Sequence, residues 1–188
     1  MKPILRDLLD GGYEEDAFWL LGMTLRTRSI ITKSINFAHE WMRIEGKSTE
    51  SIPEYELQYE LQFDTQITKH NAEELLKKVF LPRSAVIGFR FVHFLTLKFL
   101  ELRAIDSRSK KSDLGSHFAR PGIESHSQNF RDDPINFWLD VLRDSWEALL
   151  KANPAQAEKI YWFWQALKDE LIERLCIHAL TKIVETKQ

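Results

Sequence analysis

Apolar positions recur with a helical period along most of this chain. The clearest run lies between Pro134 and Ala152, where Ile135, Trp138, Leu139, Leu142, Trp146 and Leu149 fall on one face. Asn136, Asp140, Arg143, Asp144, Glu147 and Lys151 fall on the other. An apolar stripe at i, i+3, i+4 and i+7 predicts an amphipathic helix packed on one side. Asp133-Pro134 supplies a cap and a first helical residue, and Asn153-Pro154 ends this helix and starts the next. The second stripe is Ala157, Ile160, Tyr161, Trp164 and Leu167, continued by Leu171, Leu175 and Ala179. Lys168-Asp169 is a point where this second helix bends or breaks, since Asp169 can cap a new one. Helices joined so tightly are antiparallel neighbours.

The first half of the chain is less regular. Pro3 to Leu9 predicts a short helix stopped by Gly11-Gly12. A second helix starts near Glu14, where three acidic residues suit the positive end of the helix dipole, with Phe18, Leu21 and Leu25 on one face. Ser29 to Ile44 reads as a further helix, striped by Ile31, Ile35, Ala38 and Met42 and closed by Gly46. Tyr55 to Asp64 points two ways. Apolar and polar residues alternate strictly, as in a strand, yet Tyr55, Tyr59 and Phe63 are also four apart. Good helix formers and the want of an evident pairing partner favour helix. Asn71 with Glu74 predicts a capped helix ending before Pro82. Ser84 to Ile105 is apolar nearly all round, as expected of a central helix. Asp106 to Asp132 is serine-rich, holds Pro121-Gly122, and reads as a polar loop between lobes 1–105 and 133–188 of a single helical domain.

Composition narrows the class. Of 188 residues, 44% are hydrophobic and 12% aromatic, enough for a packed interior, and the net charge of −2 lacks the basic excess of a dedicated nucleic-acid binder. A single cysteine, Cys176, excludes an intramolecular disulfide framework. The most apolar stretch, Ala85 to Leu102, is interrupted by Arg90, His93, Lys98 and Glu101 and falls short of a membrane span of ~20 residues. The expectation is an all-α, soluble, cytoplasmic protein that does not enter a membrane.

Candidate chemistry is sparse. The six histidines show no metal-ligand spacing, and no phosphate-binding glycine loop is present, so neither metal nor cofactor is expected. Cys176 and His178 look like a thiol and its base, but residues two apart on a helix point ~200° apart. Arg174 is spaced to pair with Glu170. Arg108, Lys110 and Lys111 supply too few charges for a phosphate-driven interface. Tyr161-Trp162-Phe163-Trp164 covers more of a helix circumference than one core can bury, and surplus aromatics mark interaction surfaces.

Two resemblances bear on function. Residues 133–182 resemble the HEAT-like helical repeats appended to bacterial STAND-type antiviral ATPases, through Leu171, Arg174, Leu175, Ile177, His178, Ala179 and Leu180 in an LxxRLxIHAL-like helix. That likeness implies an irregular helical bundle or short HEAT-like array that recognises partners, within a defence or regulatory complex, and it carries over no catalytic residue. Arg120 to His126, RPGIESH, is similar to the Arg-to-His spacing of HEPN ribonucleases, which would make Arg120 and His126 catalytic in a dimer. Pro121-Gly122 departs from the helix that motif occupies. The reading favoured is a non-catalytic protein-interaction module binding a protein partner through Trp138, Trp162, Phe163 and Trp164. The alternatives are the HEPN-like nuclease and a small helical subunit of a nucleoprotein complex. Self-association is compatible with each.

Overall fold

A computed structural model describes residues 1–50, 53–63, 69–109, 123–124 and 134–186. In order, these form α1 (Lys2–Asp10), α2 (Glu14–Thr24), β1 (Thr27–Ile35), α3 (Phe37–Ile44), β2 (Tyr55–Phe63) and α4 (Lys69–Leu75). A π-helical turn (Leu76–Phe80) and a 3-10 turn (Leu81–Arg83) then lead into α5 (Ser84–Ser109). The chain closes with α6 (Pro134–Ala152), α7 (Pro154–Gln165) and α8 (Glu170–Thr186). The fold is all-α in its core, as the helical period predicts. One antiparallel hairpin, β1–β2, is added to it.

That hairpin corrects two expectations. Ser29 to Ile44 is not one helix: the chain runs as strand to Ile35, Asn36 caps, and α3 follows. Tyr55 to Phe63 is a strand, paired with β1 in the register Thr27↔Phe63 through Ile31↔Tyr59 to Ile35↔Tyr55. Thr27, Ile30, Ile31 and Thr32 are β-branched and favour extended backbone. Once such a partner exists, strict alternation in Tyr55–Phe63 outweighs its helix-forming glutamates. Across the tip, Lys33 Nζ sits 3.7 Å above the Tyr55 ring.

Two glycines turn the backbone where the sequence places helix ends. Gly12 (φ 79°) and Gly46 (φ 68°) occupy the left-handed region after α1 and α3. Each sends its N–H, and that of the following residue, back to the last carbonyls: Tyr13 to Leu8 at 2.8 Å and Lys47 to Met42 at 2.9 Å. Asn71 lies inside α4, which begins at Lys69, so it is not the cap. Asn153 does cap α7, its side chain accepting from Gln156 N at 3.2 Å. Asp169 caps α8 through Leu171 N and Ile172 N, at 3.0 and 3.2 Å.

The core is built around α5, which runs four residues beyond Ile105 and packs against α2, α6, α7 and both strands. A single buried cluster joins both halves of the chain, from Leu5 and Leu9 through Phe91, Leu95 and Phe99 to Trp146, Trp164 and Ile183. On the α2 side, Phe18 stacks on Phe91 and Phe94, with ring centroids 5.9 and 5.4 Å apart, and Phe80 stacks on Phe91 at 4.8 Å. On the other side, the Trp164 indole N–H donates to Thr96 Oγ1 at 2.9 Å, and that of Trp146 donates to the Ala157 carbonyl at 3.0 Å. Buried indoles need such acceptors. Of the 106–132 loop, only Asp106–Ser109, in α5, and residues 123–124 are described. Arg120 and His126 lie outside the described residues.

Candidate functional site

Packing an apolar-all-round helix among too few neighbours leaves part of it open. Along α5 this happens on the side facing α2, where a groove of about 360 Å³ is lined by Glu15, Phe18, Trp19, Phe89, Arg90, His93, Phe94 and Leu97. That volume lies within the ~300–1,000 Å³ of clefts that take side chains and small ligands. Phe18 forms its buried floor, while Trp19 is 67% exposed and Leu97 half exposed at its edges. Arg90 bridges from α5 to α2, its Nη1 3.0 Å from Glu14 and 4.0 Å from Glu15. At the α7 edge, the Phe163 ring packs on His93 with centroids 5.0 Å apart, extending the aromatic wall to a third helix.

The four aromatic residues expected at a partner surface separate by burial. Trp138 (3% exposed) and Trp164 (0%) are core residues and present no surface, which corrects their assignment. Each lies on the inward stripe of its helix, and α5 covers that stripe. Phe163 is half-buried on the groove's His93 edge. Trp162 is exposed at 62%, edge-on to Tyr161 at 5.1 Å. Of the four, Trp162 is thus exposed and Phe163 partly so.

Sequence pattern alone does not mark Trp19, Phe89, Phe94 and Leu97 as a surface, although it carries one signal for Trp19. Phe18 and Trp19 are adjacent, so placing Phe18, Leu21 and Leu25 inward turns Trp19 outward.

Four other reactive groups sit in the core or in charged pairs. Cys176 is buried and packed in the core, and burial pushes its thiol above the ordinary range. His178 turns the other way, its Nε2 2.8 Å from Glu147 Oε1 on α6 and its Nδ1 3.6 Å from Glu124. Arg143 is nearly buried. Burial opposes its charge, but Asp144 and Asp140 hold its pKa above the usual value, and it donates to the Ile123 carbonyl at 2.7 Å. Arg174 pairs with Glu170 at 2.8 Å. Among the described residues, no three His, Cys, Asp or Glu side chains converge as metal ligands, and no helix is long and apolar enough to cross a membrane. Comparison with protein-family models, curated proteins and solved structures gives no match.

Proposed function

We propose that this chain is a helical protein-interaction module, non-catalytic, which seats an apolar segment of a protein partner in the groove between α2 and α5. The observation that carries this reading is Trp19, two-thirds exposed beside a cleft already walled by Phe89, Phe94 and Leu97. Covering most of an indole removes roughly 100–150 Å² of apolar surface from water, about 3 kcal/mol before association costs. Exposed Trp beside a preformed cleft is the usual composition of a binding hot spot. Among the described residues, the groups with clearly displaced titration, such as Glu74, Arg143 and Cys176, sit in ion pairs, in hydrogen bonds to neighbouring side chains or in the core, and none lines the groove. A catalytic cleft is where such groups ordinarily gather.

The test is site-specific photo-crosslinking in the native host. A photo-reactive residue at position 19 is expected to trap one discrete protein, and Leu97→Asp is expected to abolish the adduct. The comparison site is Ile177, 69% exposed on α8, where Leu180 and Val184 continue a second apolar stripe. Trapping from position 177 and not from 19 overturns the assignment of the groove.

A further inference from the structure

We propose that the groove selects a basic partner segment, one that places a lysine or arginine beside its apolar anchor. This rests on the interaction-module reading and adds the charge of the partner. The first turn of α2 carries Glu14, Glu15 and Asp16, and α2 forms one wall of the groove. Glu14 is engaged by Arg90 at 3.0 Å, and its side chain is only 19% exposed. Glu15 stands 4.0 Å from the same guanidinium with its side chain 85% exposed, and Asp16 is exposed with no ion-pair partner among the described residues. Two carboxylates therefore meet one guanidinium at this end, and Asp16 adds a further exposed negative charge on the same turn of α2. At the other end Lys98 is neutralised by Glu101 at 2.8 Å and adds no cation of its own.

Helix geometry puts this charge beside the hot spot. Glu15 and Asp16 precede Trp19 by four and three residues, so each neighbours it on the helix surface, one on either side, and the Trp19 side chain leans toward them at the helix N-terminus. A cation placed there meets two solvent-facing carboxylates and an indole face, which attract it together. The same carboxylates repel an acidic peptide or a nucleic-acid backbone. The occupant is therefore a basic amphipathic peptide segment, with its apolar residues over Phe89, Phe94 and Leu97.

Fluorescence anisotropy tests this with two dye-labelled amphipathic peptides sharing one Leu/Phe face, flanked in one by lysines and in the other by glutamates. The full chain is expected to bind the lysine-flanked peptide about tenfold more tightly, with the margin shrinking as salt is raised. Glu15→Gln with Asp16→Asn is expected to erase the preference, and Glu15→Lys with Asp16→Lys to reverse it, with circular dichroism showing the fold retained. Equal binding of both peptides, or a preference that survives charge reversal, overturns the charge inference and leaves the groove standing. Trp19→Ala is expected to weaken both peptides at least about tenfold. If it changes neither, the groove reading itself fails. Trp19-dependent binding of single-stranded RNA, or a Trp19-dependent dimer in light scattering, makes the occupant a nucleic acid or a second copy and overturns the proposal.

Discussion

At the scale of single residues, the core is held as much by satisfied polar atoms as by apolar area. Thr96 is fully buried on α5, donates to the Val92 carbonyl at 2.8 Å and accepts from Trp164 at 2.9 Å. Thr96→Val keeps the shape and leaves a buried indole N–H without this acceptor. It should cost about 1–3 kcal/mol in urea denaturation, whereas Thr96→Ser keeps the hydroxyl and should cost about 1 kcal/mol for its missing methyl. Equal stability of Thr96→Val and the parent would show that bond to be idle. At the surface, Glu74 receives Lys2 from α1 and Lys78 from the π turn, and these hydrogen bonds lower its pKa from 4.5 to about 2. A carboxylate depressed on folding stabilises the fold above its unfolded pKa, and that contribution fades as pH falls from about 4.5 toward 2. Glu74→Gln should therefore flatten the acid limb of the stability-pH curve in that window and leave its slope above pH 5 (about the upper edge of carboxylate titration) unchanged.

At the scale of elements, local chemistry was legible and non-local pairing was not. The ends of α7 and α8 follow from Asn153, Pro154 and Asp169 alone, because a cap bonds only to residues two or three further on. The hairpin was hidden because each strand also carries four-residue spacings, and only the other strand, lying beyond α3, decides between the periods. Asp169 does two jobs: Oδ1 caps α8 and Oδ2 accepts from Arg103 Nε at 3.1 Å, both side chains being mostly buried. Asp169→Asn keeps an oxygen for the cap and loses the charge. Asp169→Ala loses both and should be the more destabilising, by at least the 0.5–2 kcal/mol (roughly) of a lost cap. Hydrogen exchange in the first turn of α8 should rise more in Asp169→Ala than in Asp169→Asn. An equal rise in both variants would place the effect in the ion pair with Arg103 instead of the cap.

At the scale of the whole molecule, the candidate site was only partly readable, since surplus aromatics show that a surface exists without saying which helix shields which ring. Trp162 and Trp164 differ by one 200° step, and only the position of α5 makes Trp164 core and Trp162 surface. The same architecture separates a helical core from an appendage. The strands adjoin α5, whereas among the described residues α3 packs extensively on no other element and leaves Trp41 and Ile44 exposed at 64% and 70%. Stability that resides in the helical cluster should then be indifferent to the tip. Replacing residues 36–54 with Asn-Gly joins Ile35 to Tyr55, the last pair of the ladder, through a turn suited to the strand twist. Thermal unfolding should shift by no more than about 4 °C, the effect of roughly 1 kcal/mol in a domain of this size. Binding of the lysine-flanked peptide should be unchanged, because none of the described residues that line the groove belongs to β1, α3 or β2. A drop of about 10 °C or more would instead make α3 an integral part of the fold, held by contacts beyond those of the helical core.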